Sequence, residues 1–295
     1  MSKPQVIAIV GPTASGKSAL GIFLAQKLNG EIISADSRQV YRDLNIGTGK
    51  VTKHEMEGIP HYLLDVASPK KVFTVDDFVK LGEKACNAIL KKSKLPIIVG
   101  GTGLYVDALL GRMSIPSVPP NLKLRTQLEK KNAASLFKIL QKLDPERAEN
   151  IEQKNPRRLV RAIEIAKALG KTPPIRVEEK YDVLWLGINP ADAVLKKNIH
   201  IRLLARMKAG MLAEAKRLHK QGLSYKRMDQ LGLEYRSLAE LLQKKVTEKE
   251  MLVELERAIQ KYARRQMRWF KRNQEIHWIK NKIESLRLAK EFCGR

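Results

Sequence analysis

Two short stretches near the N-terminus carry residue types and spacings that can do chemistry. Gly11, Gly16, Lys17 and Ser18, in GPTASGKS, fit G-x-x-x-x-G-K-[ST] without mismatch. A turn made of Gly11, Pro12, Thr13, Ala14, Ser15, Gly16, Lys17 and Ser18 wraps an anion. Its backbone N–H groups and those of the following helix point at the ligand. Lys17 adds a point charge, and the Ser18 hydroxyl can hold a Mg²⁺ that bridges two phosphates. Nothing in such a turn reads a nucleoside, because any diphosphate presents the same two adjacent charged groups. The second stretch is ADSRQ, with Asp36. A carboxylate facing a phosphate site is repelled unless a metal or a proton intervenes, so it fits better as a general base acting on a second substrate. Its other reading is a cap for the turn that follows.

These residues need elements to hold them. QVIAIV (5–10) is a short apolar, β-branched run suited to a buried parallel strand, and Leu20, Phe23, Leu24 and Leu28 recur at helical spacing behind the turn. EIISA (31–35) predicts a second strand that ends at Asp36, on the sheet edge where open α/β folds bind ligands. That strand is expected close to the first. Further apolar runs at 62–66 and 95–99, a helix over 73–92 and a helix opening at 104–110 give alternating strands and helices. The fold class predicted is α/β: a P-loop parallel-sheet core with helices on both faces and a helical insertion domain. The insertion is read from the proline-rich SIPSVPPN (114–121), helical stretches over 122–143 and 156–169, and KTPP (171–174), before strand character returns at 181–188. The boundaries are therefore 1–113 and 179–295 for the core and 114–178 for the insertion. A last short strand is placed at 276–279.

The 295 residues carry a net charge of +25, unevenly spread. To residue 112 there are 15 basic against 10 acidic residues, and beyond it 41 against 21. Such an excess suits either a solvated basic surface or a polyanionic partner such as a phosphate backbone. Only Cys86 and Cys293 are present, which leaves no disulfide framework and no zinc cluster. No apolar run reaches the ~20 residues of a membrane span. The first strand starts so close to Met1 that no signal peptide is expected. A cytoplasmic, monomeric protein without a membrane partner is the expectation. A P-loop hydrolase would add a metal-shell acid at the end of a later strand. LPIIV ends instead in Gly-Gly-Thr, and Asp65, within YLLDV, is the remaining candidate.

Five segments in order, GPTASGKS, DSRQVYRDLNIGTGK (36–50), VGGTGLYVDALL (99–110), NPRRLVRAIE (155–164) and YARRQMRWFKR (262–272), resemble the tRNA dimethylallyltransferases, also called tRNA isopentenyltransferases, of bacterial type. The resemblance spans nearly the full chain. It implies transfer of a dimethylallyl group from dimethylallyl diphosphate to N6 of the adenosine 3′-adjacent to the anticodon, in tRNAs reading codons that begin with U, with release of pyrophosphate. The partner is then the tRNA anticodon stem-loop and the cofactor Mg²⁺. Asp36 matches the family's general base, Thr102 a threonine near the acceptor base, and Arg206 a diphosphate-binding arginine. Residues 11–18 become the diphosphate cradle, although the same turn in other proteins is nucleotide-binding. Contacts to tRNA are implied for Asp36, Ser37, Arg38, Gln39, Thr102, Arg125, Arg157, Arg158, Arg161, Arg264, Arg265, Gln266 and Arg268. Two departures stand at RNA-contacting segments: Ile259-Gln260 where many members have Thr-Arg, and QLGLEYR (230–236) where many have Gly-Tyr. The rivals are an adenylate isopentenyltransferase, which needs neither insertion nor basic excess, a P-loop small-molecule kinase using Asp65, and an RNA-binding protein without catalysis.

Overall fold

A computed structural model describes residues 3–174 and 176–294. In chain order the elements are β1 (Gln5–Val10), α1 (Lys17–Lys27), β2 (Gly30–Ser34), β3 (His61–Tyr62), α2 (Val75–Leu90), β4 (Leu95–Gly100) and α3 (Gly103–Leu109). Then come α4 (Leu122–Leu128), α5 (Ala133–Leu143), α6 (Pro145–Glu149) and α7 (Pro156–Leu169). The chain continues through β5 (Asp182–Gly187), α8 (Asp192–Lys208), α9 (Met211–Lys220), α10 (Tyr225–Gln230), α11 (Leu233–Leu242), α12 (Glu248–Phe270), β6 (His277–Trp278) and α13 (Lys282–Cys293).

The strands form one parallel sheet in the order β3-β2-β4-β1-β5-β6. β1 lies between β4 and β5, and Val6 to Val10 are fully buried because both faces of the strand are covered. Side chains alternate across it. Ile7 and Ile9 pack with Leu20 and Leu24 of α1, Leu186 of β5 and Phe292 of α13. Val6, Ala8 and Val10 pack on the other face with Phe78 of α2, Leu109 of α3 and Phe270 of α12. β2 lies close to β1, with β4 between them. At about 4.8 Å per strand the turns after β1 and β2 stand roughly 10 Å apart, which leaves room for a ligand between them. The run at 62–66 is strand only at its start, because Leu63 and Asp65 take positive φ (63° and 57°) and end the pairing.

Residues 112–178 form a separate compact unit. Its four helices each begin at a side-chain cap: Asn121, Asn132, Asp144 and Asn155 accept the backbone N–H three residues on. The helix read as continuous over 122–143 is broken after Leu128, where Asn132 starts a new one. Leu136, Leu140, Leu159 and Ile163 are the centre of its core. The other unit comprises residues 1–111 and 179–295. Beyond the sheet it holds a second helical core around Leu203, Met211, Tyr235, Leu255 and Ala263.

Candidate active site

The turn 11–18 leaves β1 and enters α1 at Gly16, whose left-handed φ of 91° lets the chain reverse without a β-carbon penalty. No side chain caps this helix, so its first N–H groups are free for an anion. The Lys17 ammonium folds back onto the Pro12 carbonyl. Burial pulls its pKa down to about 7, the neighbouring Arg202 pushes the same way, and Asp36 opposes them. A positive group held this far below its usual value gains its charge back when an anion arrives. The Ser15 hydroxyl is buried with no hydrogen-bond partner among the described residues.

Asp36 follows β2 at the same sheet edge. Its Oδ1 accepts the N–H groups of Arg38 (2.7 Å) and Gln39 (3.2 Å), so the cap reading is correct for that oxygen. The bonds also fix the carboxylate's orientation and leave Oδ2 for another partner. Thr102 Oγ1 accepts the Ser37 N–H (3.1 Å) and does not cap α3, the other role considered for it. It holds the Asp36 turn from behind and is not on the cavity wall. The Tyr262 phenol hydrogen-bonds Thr102 and is pushed up to about 12, chiefly by burial and then by Asp36.

A cavity of about 430 Å³ joins these groups: Thr13, Lys17 and Ser18 of the turn stand on its wall together with Asp36, Ser37, Arg38 and Gln39. A second cavity, of about 760 Å³, is lined by Ala14, Ser15 and Gly16, and the two share Lys17, Ser18, Val51 and Arg202. Gly11 and Pro12 lie buried beneath the turn. The turn 11–18 is thus reached from two sides.

Gln266 differs from its reading as part of an RNA-facing patch. It is buried, accepts the Thr13 N–H (2.8 Å) and donates to the Gly101 carbonyl (2.8 Å). One amide on α12 therefore ties the loop after β1 to the loop after β4. A β-carbon on Gly101 would collide with the Gln266 amide nitrogen, so Gln266 would have to move for any larger residue there. Arg206, which the resemblance implies as a diphosphate-binding arginine, stands away from the cavity wall. Its guanidinium binds the Gly47 carbonyl (2.8 Å) and Glu234 (3.0 Å) and does not line the cavity. Arg202, one turn earlier on α8, does, and its NH2 donates to the Gly49 carbonyl (2.8 Å). Burial and then Arg206 hold Arg202 below its usual pKa.

The remaining arginines divide by what they touch. Arg125 grips the buried Glu164 through two bonds of 2.9 and 2.7 Å, and Arg161 binds the same carboxylate. Burial alone would raise the Glu164 carboxyl, yet the Arg125 hydrogen bonds, with the Asn121 N–H and Arg161, hold it below its ordinary value. These two arginines serve the insertion's own fold. Arg157 is exposed and Arg158 pairs with Glu152 at the surface (3.1 Å). Arg265 lines the cavity that holds Asp36 and lies over the Tyr262 ring, whereas Arg264 and Arg268 stand on another face of α12. Sequence reasoning does not find Arg202, Tyr262 or Glu214 as site-building residues. Glu214 is buried and accepts the N–H groups of Asn45, Ile46 and Gly47 and the Tyr235 hydroxyl, which sets the loop bearing Gly49.

Asp65 is paired with Lys50 and lies off both cavities, so the kinase reading loses its acid. No helix among the described residues is long and apolar enough to cross a membrane.

Residues 39–273 match the family model of the IPP transferases. The chain is similar to tRNA dimethylallyltransferase 1 of Geotalea uraniireducens, with 38% identity over 98% of this chain and 96% of the relative. Its fold is similar to the crystal structure of a tRNA isopentenylpyrophosphate transferase from Bacillus halodurans, at TM-score 0.75 and 34% identity, covering 99% and 96% of the two chains. A eukaryotic dimethylallyltransferase acting on tRNA gives TM-score 0.79 at 28% identity, over 90% of this chain and 70% of that one. The resemblance drawn from five sequence segments is borne out: the chain belongs to the IPP transferase family, among the tRNA dimethylallyltransferases.

Proposed function

We propose that this protein transfers a dimethylallyl group from dimethylallyl diphosphate to N6 of the adenosine 3′-adjacent to the anticodon, in tRNAs reading codons that begin with U. The observation that carries the reading is the cavity that holds Lys17 and Ser18 on one side and Asp36 on the other. The diphosphate lies on the turn 11–18, where the free N–H groups, Lys17 and Arg202 stabilise the charge that grows on the leaving oxygen. The allylic C1–O bond breaks as the N6–C1 bond forms, and Asp36 takes the proton that the amine loses. The adenine leaves its stack to enter, and Arg38, Arg236 and Arg265 around the cavity offset that cost by binding phosphates. Exposed Arg157 and paired Arg158 give the helical unit its own RNA-facing charge.

A divalent metal fits the cradle. The unpartnered Ser15 hydroxyl and the exposed Ser18 hydroxyl offer hard oxygen donors, which suit Mg²⁺. Ser18 would hold the ion together with diphosphate oxygens, and when bound it supplies further neutralisation of the leaving group.

The test is direct. The protein is incubated with Mg²⁺, dimethylallyl diphosphate and unmodified tRNA, and the digested nucleosides are read by mass spectrometry. Adenosine carrying a C5H8 increment is expected. An increment on free AMP and none on tRNA would replace this reading with that of an adenylate isopentenyltransferase.

A further inference from the structure

The proposed reaction uses the charged parts of the cavity and leaves one end of it without a role. Ile32 and Ser34 of β2, Val99 of β4, His61 of β3 and Val51 also line it. Ile32, Ser34 and Asp36 are alternate residues and face the same side of the sheet. Ile32 pairs with His61 and Ser34 with Val99. Ile32 then lies about 13 Å of strand below Asp36. None of the five carries an ammonium, guanidinium or carboxylate. The His61 Nδ1 donates to the Ile59 carbonyl (2.8 Å), which leaves its Nε2 an acceptor. Burial holds the ring below its ordinary pKa and keeps it uncharged. A diphosphate finds no cation at this end, and a hydrocarbon chain loses nothing there.

The end is blind. Ile32 and Val99 are 2% and 7% exposed and belong to the core between the sheet and α1, where they pack with Leu20, Leu24 and Ile97. Behind Val99, a β-carbon on Gly21 of α1 would stand 2.6 Å from the Val99 Cγ2. The glycine therefore lets α1 lie against β4 without displacing Val99. The other large apolar residues on the wall, Leu233 and Ile259, share α11 and α12 with Glu234, Arg236, Tyr262 and Arg265, so that wall is not free of charge.

We propose that Ile32 and Val99, with Gly21 behind Val99, set the length of the donor: they form the blind end that receives its hydrocarbon chain and admit one isoprene unit but not two. The inference rests on the reading of dimethylallyl diphosphate as the donor and deepens it. The geometry leaves the chain one direction. Its C1 must lie between the Lys17 side of the cavity and Asp36, so the rest runs away from both charges, along the β2 face past Ser34 to Ile32. Apolar contact with Ile32, Val51 and Val99 then orients C1 for attack. The longer chain of geranyl diphosphate meets the packed core first, and its C1 cannot reach Asp36 while its diphosphate stays on the turn.

The test offers dimethylallyl and geranyl diphosphate separately to the full-length protein with Mg²⁺ and unmodified tRNA, and reads kcat/KM from the C5H8 and C10H16 increments on adenosine. The wild type should give the C5H8 increment alone. Val99→Ala should raise the geranyl-to-dimethylallyl ratio about tenfold or more over the wild-type limit, the scale on which methylene-sized changes in an apolar pocket discriminate. Ile32→Val trims the same floor by less; it should move the ratio in the same direction and serves if Val99→Ala does not fold. Gly21→Ala crowds Val99 and should instead raise the KM for dimethylallyl diphosphate. Ile259→Ala should leave the ratio unchanged. Geranyl transfer by the wild type, or a ratio that neither floor variant moves, would overturn the proposal. So would a ratio moved by Ile259→Ala and not by Val99→Ala, which would put the chain on α12. Calorimetry of the two donors without tRNA separates this failure from failure of the reaction. If the wild type transfers neither chain, yet Val99→Ala raises the affinity for geranyl relative to dimethylallyl diphosphate about tenfold, the blind end stands and the reaction does not. If neither transfer nor relative affinity responds, both fall. If dimethylallyl transfer is present and the floor variants leave the ratio alone, the blind end alone falls.

Discussion

Pyrophosphate binding to the metal-free protein should take up a proton, and that proton should go to Lys17. In the free site the ammonium is pressed down to about pH 7 by burial and by Arg202, with Asp36 pulling the other way. Near pH 7 about half the molecules then hold neutral Lys17, and near pH 8 about nine-tenths do. A bound polyanion restores the charge, because opposite charge favours the protonated form. Binding should therefore take up about 0.5 proton at pH 7 and about 0.9 at pH 8. If only the ammonium form binds, affinity falls about 50-fold from pH 7 to pH 9. The assay is isothermal titration in buffers of different ionisation enthalpy with EDTA present, comparing wild type and Lys17→Ala. Pyrophosphate's own protonation is common to both, so the difference isolates the lysine. Equal proton uptake in the two proteins would refute the argument. The same shift sets a stability signature. The unfolded chain keeps its lysine protonated up to its ordinary value of 10.5. The unfolded state thus binds more protons between about 7 and 10.5, so Lys17's penalty on the ligand-free fold is fully present below that window and is relieved as pH rises through it.

Asp36→Asn should lower transfer by about 10²- to 10⁴-fold with tRNA affinity nearly intact, because an amide oxygen can still accept the Arg38 and Gln39 N–H groups but cannot take a proton; full activity would remove Asp36 as the base. Arg202→Ala should weaken pyrophosphate binding by about ten- to a hundredfold, the worth of a charged hydrogen bond, as read by titration calorimetry. Arg206→Ala should act mainly on thermal stability, since its partners are the Gly47 carbonyl and Glu234. Glu214→Ala strips the partner from three backbone N–H groups and the Tyr235 hydroxyl and should cost about 3 kcal/mol or more, seen as a Tm drop of roughly 6–12 °C.

The parts of this site that are legible in the sequence are the ones whose physics is local. A glycine-rich turn between an apolar strand and a helix needs no distant partner to be read, and the turn 11–18 stands where its residues put it. Asp36 is legible for the same reason, as the carboxylate at a strand's end. Strand order is not. β4 enters between β1 and β2 because a long crossover brings it there, and no residue in QVIAIV or EIISA names its neighbour. The roughly 10 Å that β4 opens between cradle and carboxylate turns two adjacent motifs into opposite walls of a cavity.

Cations are the hardest class to read, and the reason is pairing across sequence distance. Arg125 and Arg161 have the same side-chain chemistry as Arg265. Yet the first two direct their charge to Glu164, a buried carboxylate that would otherwise be left with too few partners, while Arg265 faces the cavity. Arg202 and Arg206 are one turn apart on one helix, and only the packing of α8 against the loop at 45–49 decides which lines the cavity with Lys17. A basic excess therefore predicts a polyanionic partner only after the arginines that hold buried carboxylates are set aside. On α12 that subtraction leaves two faces. Arg265 looks toward the cavity, and Lys261, Arg264, Arg268 and Lys271 look elsewhere, with no side-chain hydrogen bond among the described residues. Gln266 on the same segment ties the turn after β1 to the loop after β4.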